Sequence, residues 1–448
     1  MALVLDGGQN ITIVRILNKF VTSITNICLN KFIQKMYEWQ NKSELFLPSG
    51  FSIPFCKGVG GYVSYESSIK WGAPCVIDAT HARFLAKKRL PKLIFDFIDG
   101  AAGREIGKAR NEQAFGDIQL QSRVLRQVDP RNLTTKFINQ SFQLPFGIAP
   151  MGMCNLSHPK ADQIMGQVAK TAQIPVGLSS AASSRLEDMR KWAGTYAWFQ
   201  LYVTPPLDHT LSLVRRAQNA GFSTLVFTVD VPQVSRRLRD VANGFKMPFR
   251  MRSKQFFDFA THPRWSLATL ANGVPKPLNF PDNGDGFDRD SSRALADWEF
   301  LKRLRELWPG KLVVKGITSV PDALQVQECG ADAIYISTHG GRQLDSAPAS
   351  IAVLPLIRQA LGPDYPLLID SGVRNGEDIV KALVCGANMV MLGRPVLYAL
   401  AADGARGLEA LFSGLAYDVS AAMAQLGARN ISDLTPAMIV KNNHALLD

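Results

Sequence analysis

Cysteine is scarce in this chain, and what there is lies scattered. Cys28, Cys56, Cys75, Cys154, Cys329 and Cys385 contain no C-x-x-C pair. That pattern excludes a disulfide framework, suggests no metal site, and fits a reducing compartment. Long apolar runs are missing as well: no stretch approaches the ~20 residues that cross a bilayer. The first residues lack the compact apolar core and small-residue cleavage site of a secretory signal. No stacking motif or basic recognition helix marks a nucleic-acid binder. Acidic residues are in deficit, with 38 Asp and Glu against 50 Lys and Arg, a formal net charge of +12. A surplus of that size points to anionic partners, among them a membrane surface or a negatively charged cofactor or substrate. The expectation is a cytoplasmic protein whose only membrane contact would be peripheral, at the inner face.

What is present is the make-up of a globular protein, with 46% hydrophobic and 20% charged residues in a chain of 448. Residues 1–75 differ in composition from the rest. Within them 11–39 is rich in Ile, Asn and Lys, with Ile13, Ile16, Phe20, Ile24 and Ile27 near a helical period. This extension reads either as a presequence, against which its scarcity of Arg argues, or as an appended start with no part in catalysis. From residue 76 onward short apolar runs alternate with amphipathic stretches. The runs are FGIAP (146–150), PVGLSS (175–180), AWFQLY (197–202), TLVFTVD (224–230), LVVKGI (312–317), AIYIST (333–338), PLLIDSG (366–372) and MVMLGRP (389–395). Between them lie helix-like segments such as ADQIMGQVAKTAQ (161–173) and GEDIVKALVCG (376–386). Continuous apolar strands alternating with helices predict a parallel sheet, and eight such units in series predict a closed (β/α)8 barrel over residues 76–448. One connection breaks the rhythm: about 80 residues separate the fourth and fifth strands, far above ordinary loop length. The extra residues are placed at 243–300.

Working side chains in such barrels sit at the C-terminal ends of the strands. Those ends carry Gln200, Tyr202, Thr228, Asp230, Lys315, Ser337, His339, Arg342, Asp370, Arg374, Gly393 and Arg394. The densest string is STHGGRQLD (337–345), a histidine after a strand, two glycines that permit close backbone approach, and Arg342. A base beside a guanidinium suits oxidation of a 2-hydroxy acid: the arginine forks onto the carboxylate while the imidazole takes a proton.

This string closely resembles the active-site signature of the FMN-dependent 2-hydroxy-acid dehydrogenases and oxidases, and the resemblance runs from about residue 77 to about 440. It implies FMN as cofactor, a 2-hydroxy acid as substrate and a homo-oligomer, by family a tetramer. It makes His339 the base, Asp230 its partner, and Tyr202 the tyrosine that reaches the substrate. Arg342 and Arg237 match the pair that grips the carboxylate. Lys315 matches the lysine beside the flavin, while Ala149, Pro150, Met151, Ser179, Gln200, Thr228 and Ser337 match positions around its ring. Asp370, Gly372, Arg374, Gly393 and Arg394 match those of the ribityl chain and phosphate. Three pocket positions depart from the pattern: Phe97 replaces a tyrosine, Ala181 stands where Trp is frequent, and Gly152 is fourth in APMG. They imply a larger, more apolar substrate than glycolate.

The leading reading is a dehydrogenase that passes its electrons to a quinone or other carrier, toward which Gly152 and the long basic insertion lean; the alternative is an oxidase that uses O2 and releases hydrogen peroxide. An FMN-barrel isomerase is disfavoured, because a diphosphate substrate has no carboxylate for the His339–Arg342 pair to grip. A non-catalytic flavin-binding protein is disfavoured by the otherwise intact site. Residues 243–280 mix Lys246, Arg250, Arg252, Lys254 and Arg264 with Phe245, Phe249, Phe256, Phe257, Phe259 and Trp265. This segment reads equally as an interfacial membrane anchor and as an active-site lid.

Overall fold

A computed structural model describes residues 75–245, 253–280 and 293–440. All of them belong to the larger of two units in the chain, Ser68–Asp448. The readings made on residues 11–39, and on Lys246, Phe249, Arg250 and Arg252, lie outside the described residues.

Eight parallel strands close into a barrel. They are β3 (Phe146–Met151), β4 (Val176–Ser179), β5 (Ala197–Leu201), β6 (Thr224–Thr228), β7 (Lys311–Ile317), β8 (Ala333–Ile336), β9 (Leu367–Ile369) and β10 (Met389–Leu392). The ring follows chain order and closes where β10 pairs with β3, Val390 opposite Phe146 and Leu392 opposite Ile148. Every predicted strand is present. Most of the predicted runs overshoot at the C-terminal end, because the residues there leave the sheet to form the loops of the mouth.

Alternation sorts the strand residues between two cores. Trp198, Val226, Val313, Tyr335, Leu368, Met389 and Met391 point inward and fill the barrel. Their neighbours Phe199, Leu201, Leu225, Phe227, Leu312, Val314, Ile334 and Ile336 point outward and pack under the helices. The barrel floor is a feature the sequence reading missed. An antiparallel hairpin, β1 (Thr135–Phe137) and β2 (Gln140–Phe142), turns through Ile138 and Asn139, both at positive φ. Its Phe137 and Phe142 seal the lower end, with ring centroids 6.0 and 6.1 Å from Trp198.

Helix Arg394–Leu426 crosses the outside of the barrel and packs on helices Ala79–Arg89 and Gly376–Val384, with a break at Asp403 and Gly404. Helix Trp298–Leu307 is the ordinary barrel helix before β7, so the extra residues end earlier than the expected limit of 300. Within the insertion, helices Ser253–Ala260 and Pro263–Asn272 divide their aromatic residues. Trp265 turns in, and its Nε1 donates to the Leu156 carbonyl at 2.8 Å. Phe256 and Phe257 face out, 58% and 68% exposed.

One buried carboxylate stands apart from the site. Asp162, in the first turn of helix Ala161–Ala172, is fully buried, and neither carboxylate oxygen has a hydrogen-bond partner in good geometry. Burial raises its pKa to about 6, with Ser184, Cys154 and the Ser183 amide as the polar groups that offset this. A folded-state pKa above the unfolded one means that the folded protein binds the proton more tightly. The associated stability is therefore present in acid and is lost as pH rises through about 6. Asp162→Asn is expected to flatten the fall in stability between about pH 4 and pH 6, a fall of ~3 kcal/mol at most for this group. Urea denaturation at a series of pH values checks it, and an unchanged pH slope in the variant would refute the assignment.

Candidate active site

The loops after the strands converge at the C-terminal mouth, and His339 is the group they surround. It follows β8 with a left-handed backbone, φ 55°, at the start of the turn His339–Gly341. Its Nδ1 lies 3.1 and 3.3 Å from the two carboxylate oxygens of Asp230, which follows β6. A carboxylate on Nδ1 selects the tautomer protonated there and leaves Nε2 as the basic nitrogen. Nε2 faces the Tyr202 hydroxyl at 3.4 Å. Burial lowers the His339 pKa, opposed by Asp230 and reinforced by Lys315 and Arg237. The imidazole is therefore neutral and able to accept a proton at neutral pH. Burial pushes Asp230 up, but His339 and Lys315 outweigh it and hold the carboxyl below its ordinary range. Burial and the charge of Asp230 raise Tyr202, which stays a neutral phenol.

Lys315, on β7, is 3% exposed and donates to Ser337 Oγ at 2.7 Å, with Asp370 3.6 Å away. Desolvation works against its charge; Asp370, Asp230 and Tyr202 overcome it and raise the pKa. Across the mouth Ser179 Oγ donates to Gln200 Oε1 and Gln200 Nε2 donates to Thr228 Oγ1, both at 2.9 Å. This chain ties the ends of β4, β5 and β6 into one polar strip. At the end of β3, beyond Ala149 and Pro150, Met151 reaches Gly393: its sulfur lies 3.8 Å from where a Cβ on Gly393 would stand, and nothing else crowds that glycine.

The arginines are engaged with protein. Arg342 NH1 donates to the carbonyls of Phe97 and Gly100 at 2.8 and 2.9 Å, and its guanidinium lies 5.2 Å from the centroid of the Phe97 ring. Arg394 donates to the carbonyls of Ile98, Gly340 and Gly100. Arg374 donates to Glu112, and Gly372 packs on the Asn111 carbonyl, so both turn toward helix Ile106–Gly116. Arg237 directly precedes helix Leu238–Asn243, and its guanidinium lies 3.9 Å from the Asp240 carboxylate. The three departures from the family pattern line the mouth in different ways. A Cβ on Gly152 would lie 3.3 Å from the Ala181 carbonyl oxygen, so those two small residues are neighbours. Phe97 stacks on Phe245 with centroids 4.4 Å apart and planes at 5°. Sequence reasoning passed over Arg293, which lies in a stretch of Asp, Gly and Ser and is 4% exposed, with its guanidinium 5.0 Å from the Tyr202 ring centroid.

A family model described as FMN-dependent dehydrogenase matches residues 86–441. The chain belongs to that family. It is an FMN-dependent enzyme that oxidises a 2-hydroxy acid to the 2-oxo acid. It is 37% identical over 361 residues to (S)-mandelate dehydrogenase of Pseudomonas putida, covering 79% of this chain and 91% of that one. It is 35% identical over 374 residues to L-lactate dehydrogenase of Acinetobacter baumannii, 80% and 96% of the two chains. A crystal structure described as the monotopic membrane protein (S)-mandelate dehydrogenase superimposes with a TM-score of 0.78 at 36% identity, covering 82% of this chain and 99% of that one.

The chemistry of the mouth fits FMN. A flat polar ring needs hydrogen-bonding groups along one edge and a cation near the atoms that gain negative charge on reduction. The Ser179–Gln200–Thr228 strip and the buried Lys315–Ser337 pair supply both kinds of group. Gly393, uncrowded at the start of helix Arg394–Leu426, provides the backbone approach a phosphate requires.

Asp230→Asn removes the charge that raises the His339 pKa. The acid limb of kcat/KM for flavin reduction should therefore move to lower pH, while the plateau falls about 10–100-fold as support for the imidazolium is lost. A pH series of anaerobic stopped-flow traces checks both changes. A limb that stayed in place would show that Asp230 does not govern this titration.

Proposed function

We propose that the protein oxidises bulky L-2-hydroxy acids, with His339 as the base, and passes the electrons to a quinone at an adjoining membrane. The observation that carries the reading is the alignment Asp230–His339–Tyr202, one carboxylate on Nδ1 and one phenol facing Nε2. Arg342 and Arg237 supply guanidinium groups for the substrate carboxylate, whose planar fork matches theirs. His339 Nε2 accepts a proton from the substrate, and Asp230 stabilises the resulting imidazolium. The Tyr202 hydroxyl hydrogen-bonds to the oxygen that becomes the ketone. FMN supplies the two-electron acceptor, and Lys315 offers it a fixed buried cation.

Substrate size follows from the walls. Gly152 and Ala181 are small neighbours that put no bulky side chain into the mouth, and the Phe97–Phe245 stack replaces a hydroxyl with an aromatic face. An aromatic hydroxy acid such as mandelate is expected to give kcat/KM at least about tenfold above glycolate, since a few buried carbons are worth that much. Anaerobic flavin bleaching with a panel of L-2-hydroxy acids measures it. His339→Gln should bind FMN yet reduce it about 10²–10⁴-fold more slowly. Glycolate as the best substrate would refute the pocket reading, and normal reduction in the variant would refute the base.

The membrane reading rests on the outer face of the insertion. Phe256, Phe257, Leu267, Leu270 and Val274 are exposed there, with Arg264 and Lys276 beside them. No helix among the described residues is long and apolar enough to cross a membrane. Exposed rings and aliphatic side chains with basic neighbours suit insertion at headgroup depth in an anionic surface. The buried Trp265 and Phe245 anchor the same segment to the barrel, which accommodates part of the lid reading. The intact protein should co-sediment with anionic vesicles at low salt, and replacing 246–275 by a short linker should abolish this. Equal binding by both forms would reject the insertion as the anchor.

A further inference from the structure

Tyr202 is weakly restrained for a residue with a precise task. Its hydroxyl meets His339 Nε2 at 3.4 Å, longer than a strong hydrogen bond, and its backbone N–H reaches Ser180 Oγ at 3.3 Å. A phenol at the end of a strand needs a further contact to hold its ring angle. Among the described residues, the charged group lying over that ring is Arg293.

Arg293 comes from the return limb of the insertion, just before helix Trp298–Leu307. Its own N–H donates to the Pro232 carbonyl at 2.8 Å, two residues beyond Asp230, and its carbonyl accepts from Ala296 N–H at 3.0 Å. The backbone at 293 is thus pinned to the loop that carries Asp230, and the buried side chain extends over the ring of Tyr202. A desolvated guanidinium over an aromatic face is attracted by the ring quadrupole, and its planar shape resists rotation of the partner more than an ammonium does.

We propose that Arg293 is a positioning residue for the reaction: stacked on Tyr202, it holds the phenol hydroxyl beside His339 Nε2, where it reaches the substrate oxygen on which the base acts. It thereby makes the return limb of the insertion part of the catalytic mouth, so that one loop carries both the outer apolar face and a restraint on the inner tyrosine. The inference rests on Tyr202 acting in the reaction as proposed above.

The test is a double-mutant cycle on the flavin-loaded enzyme, read as the anaerobic rate of flavin reduction, with KM and flavin content measured in parallel. Arg293→Met is expected to slow reduction about tenfold while changing KM less than about twofold, and Arg293→Lys is expected to fall between it and the parent. In a Tyr202→Phe background, where there is no hydroxyl to direct, Arg293→Met should cost less than about twofold more. Should Arg293→Met fail to fold or lose FMN, Arg293→Lys alone and with Tyr202→Phe gives the same comparison. A full tenfold loss in the Tyr202→Phe background, or no loss in Arg293→Met, overturns the positioning role and leaves that of Tyr202 standing. A parental rate in Tyr202→Phe alone overturns the role of Tyr202 itself, and the inference with it.

Discussion

The turn from Phe97 to Gly100 is gripped from two sides, and the arrangement of the mouth depends on that grip. From the barrel, Arg342 and Arg394 donate to its carbonyls. From the outside, Asp99, fully buried, accepts from Arg83, Arg239, Lys108 and the Tyr398 hydroxyl. Burial alone would push the Asp99 carboxyl up; Arg83, Lys108 and Tyr398 reverse this and hold it far below the usual range. Buried charges persist when their partners leave no lone pair unmet, and four donors around one carboxylate do so. These contacts join helices Ala79–Arg89, Lys92–Asp99, Ile106–Gly116, Leu238–Asn243 and Arg394–Leu426 at one point. The two arginines that a sequence pattern assigns to ligands are thus fixed by the protein's own backbone, with Phe97 held beside them.

The barrel was legible because its strands are buried on both faces and read as unbroken apolar runs, which few other structures produce. Their ends were less legible. Tyr202, Asp230 and Thr338 continue the runs in composition but leave the sheet in space, since hydrogen-bond partners across a sheet are not written in one strand. The floor hairpin escaped notice for a different reason. TKF and QSF are three residues each, too short for a period, and Phe137 and Phe142 acquire meaning only against Trp198. The candidate site was readable as a set of residues at strand ends; its internal wiring was not. Nothing in the sequence says that Arg394 meets the Gly340 carbonyl or that Arg293, about ninety residues along the chain from Tyr202, lies over its ring.

The insertion combines two chemistries that composition blends together. Averaged over its length it is simply basic and aromatic. In space its rings separate, Phe245 stacking inward on Phe97 while Phe256 and Phe257 face outward. The inward set contributes to the wall of the mouth, and the outward set forms an apolar surface that water alone would not favour.

The backbone around His339 bears on how this enzyme can change over time. His339 sits at φ 55°, a Cβ on Gly340 would lie 2.6 Å from the Arg394 guanidinium, and one on Gly341 would lie 2.5 Å from the Lys108 backbone nitrogen. Three consecutive positions therefore accept almost no replacement, whatever the substrate. On the reading of the walls proposed above, mutational drift toward new hydroxy acids has more latitude at Ala181, Phe97 and Phe245 than at these three positions, since the Phe97 and Phe245 rings meet each other as side chains. The reaction is structurally frozen while the choice of molecule is not, so descendants of this scaffold can diversify in diet without reinventing their chemistry.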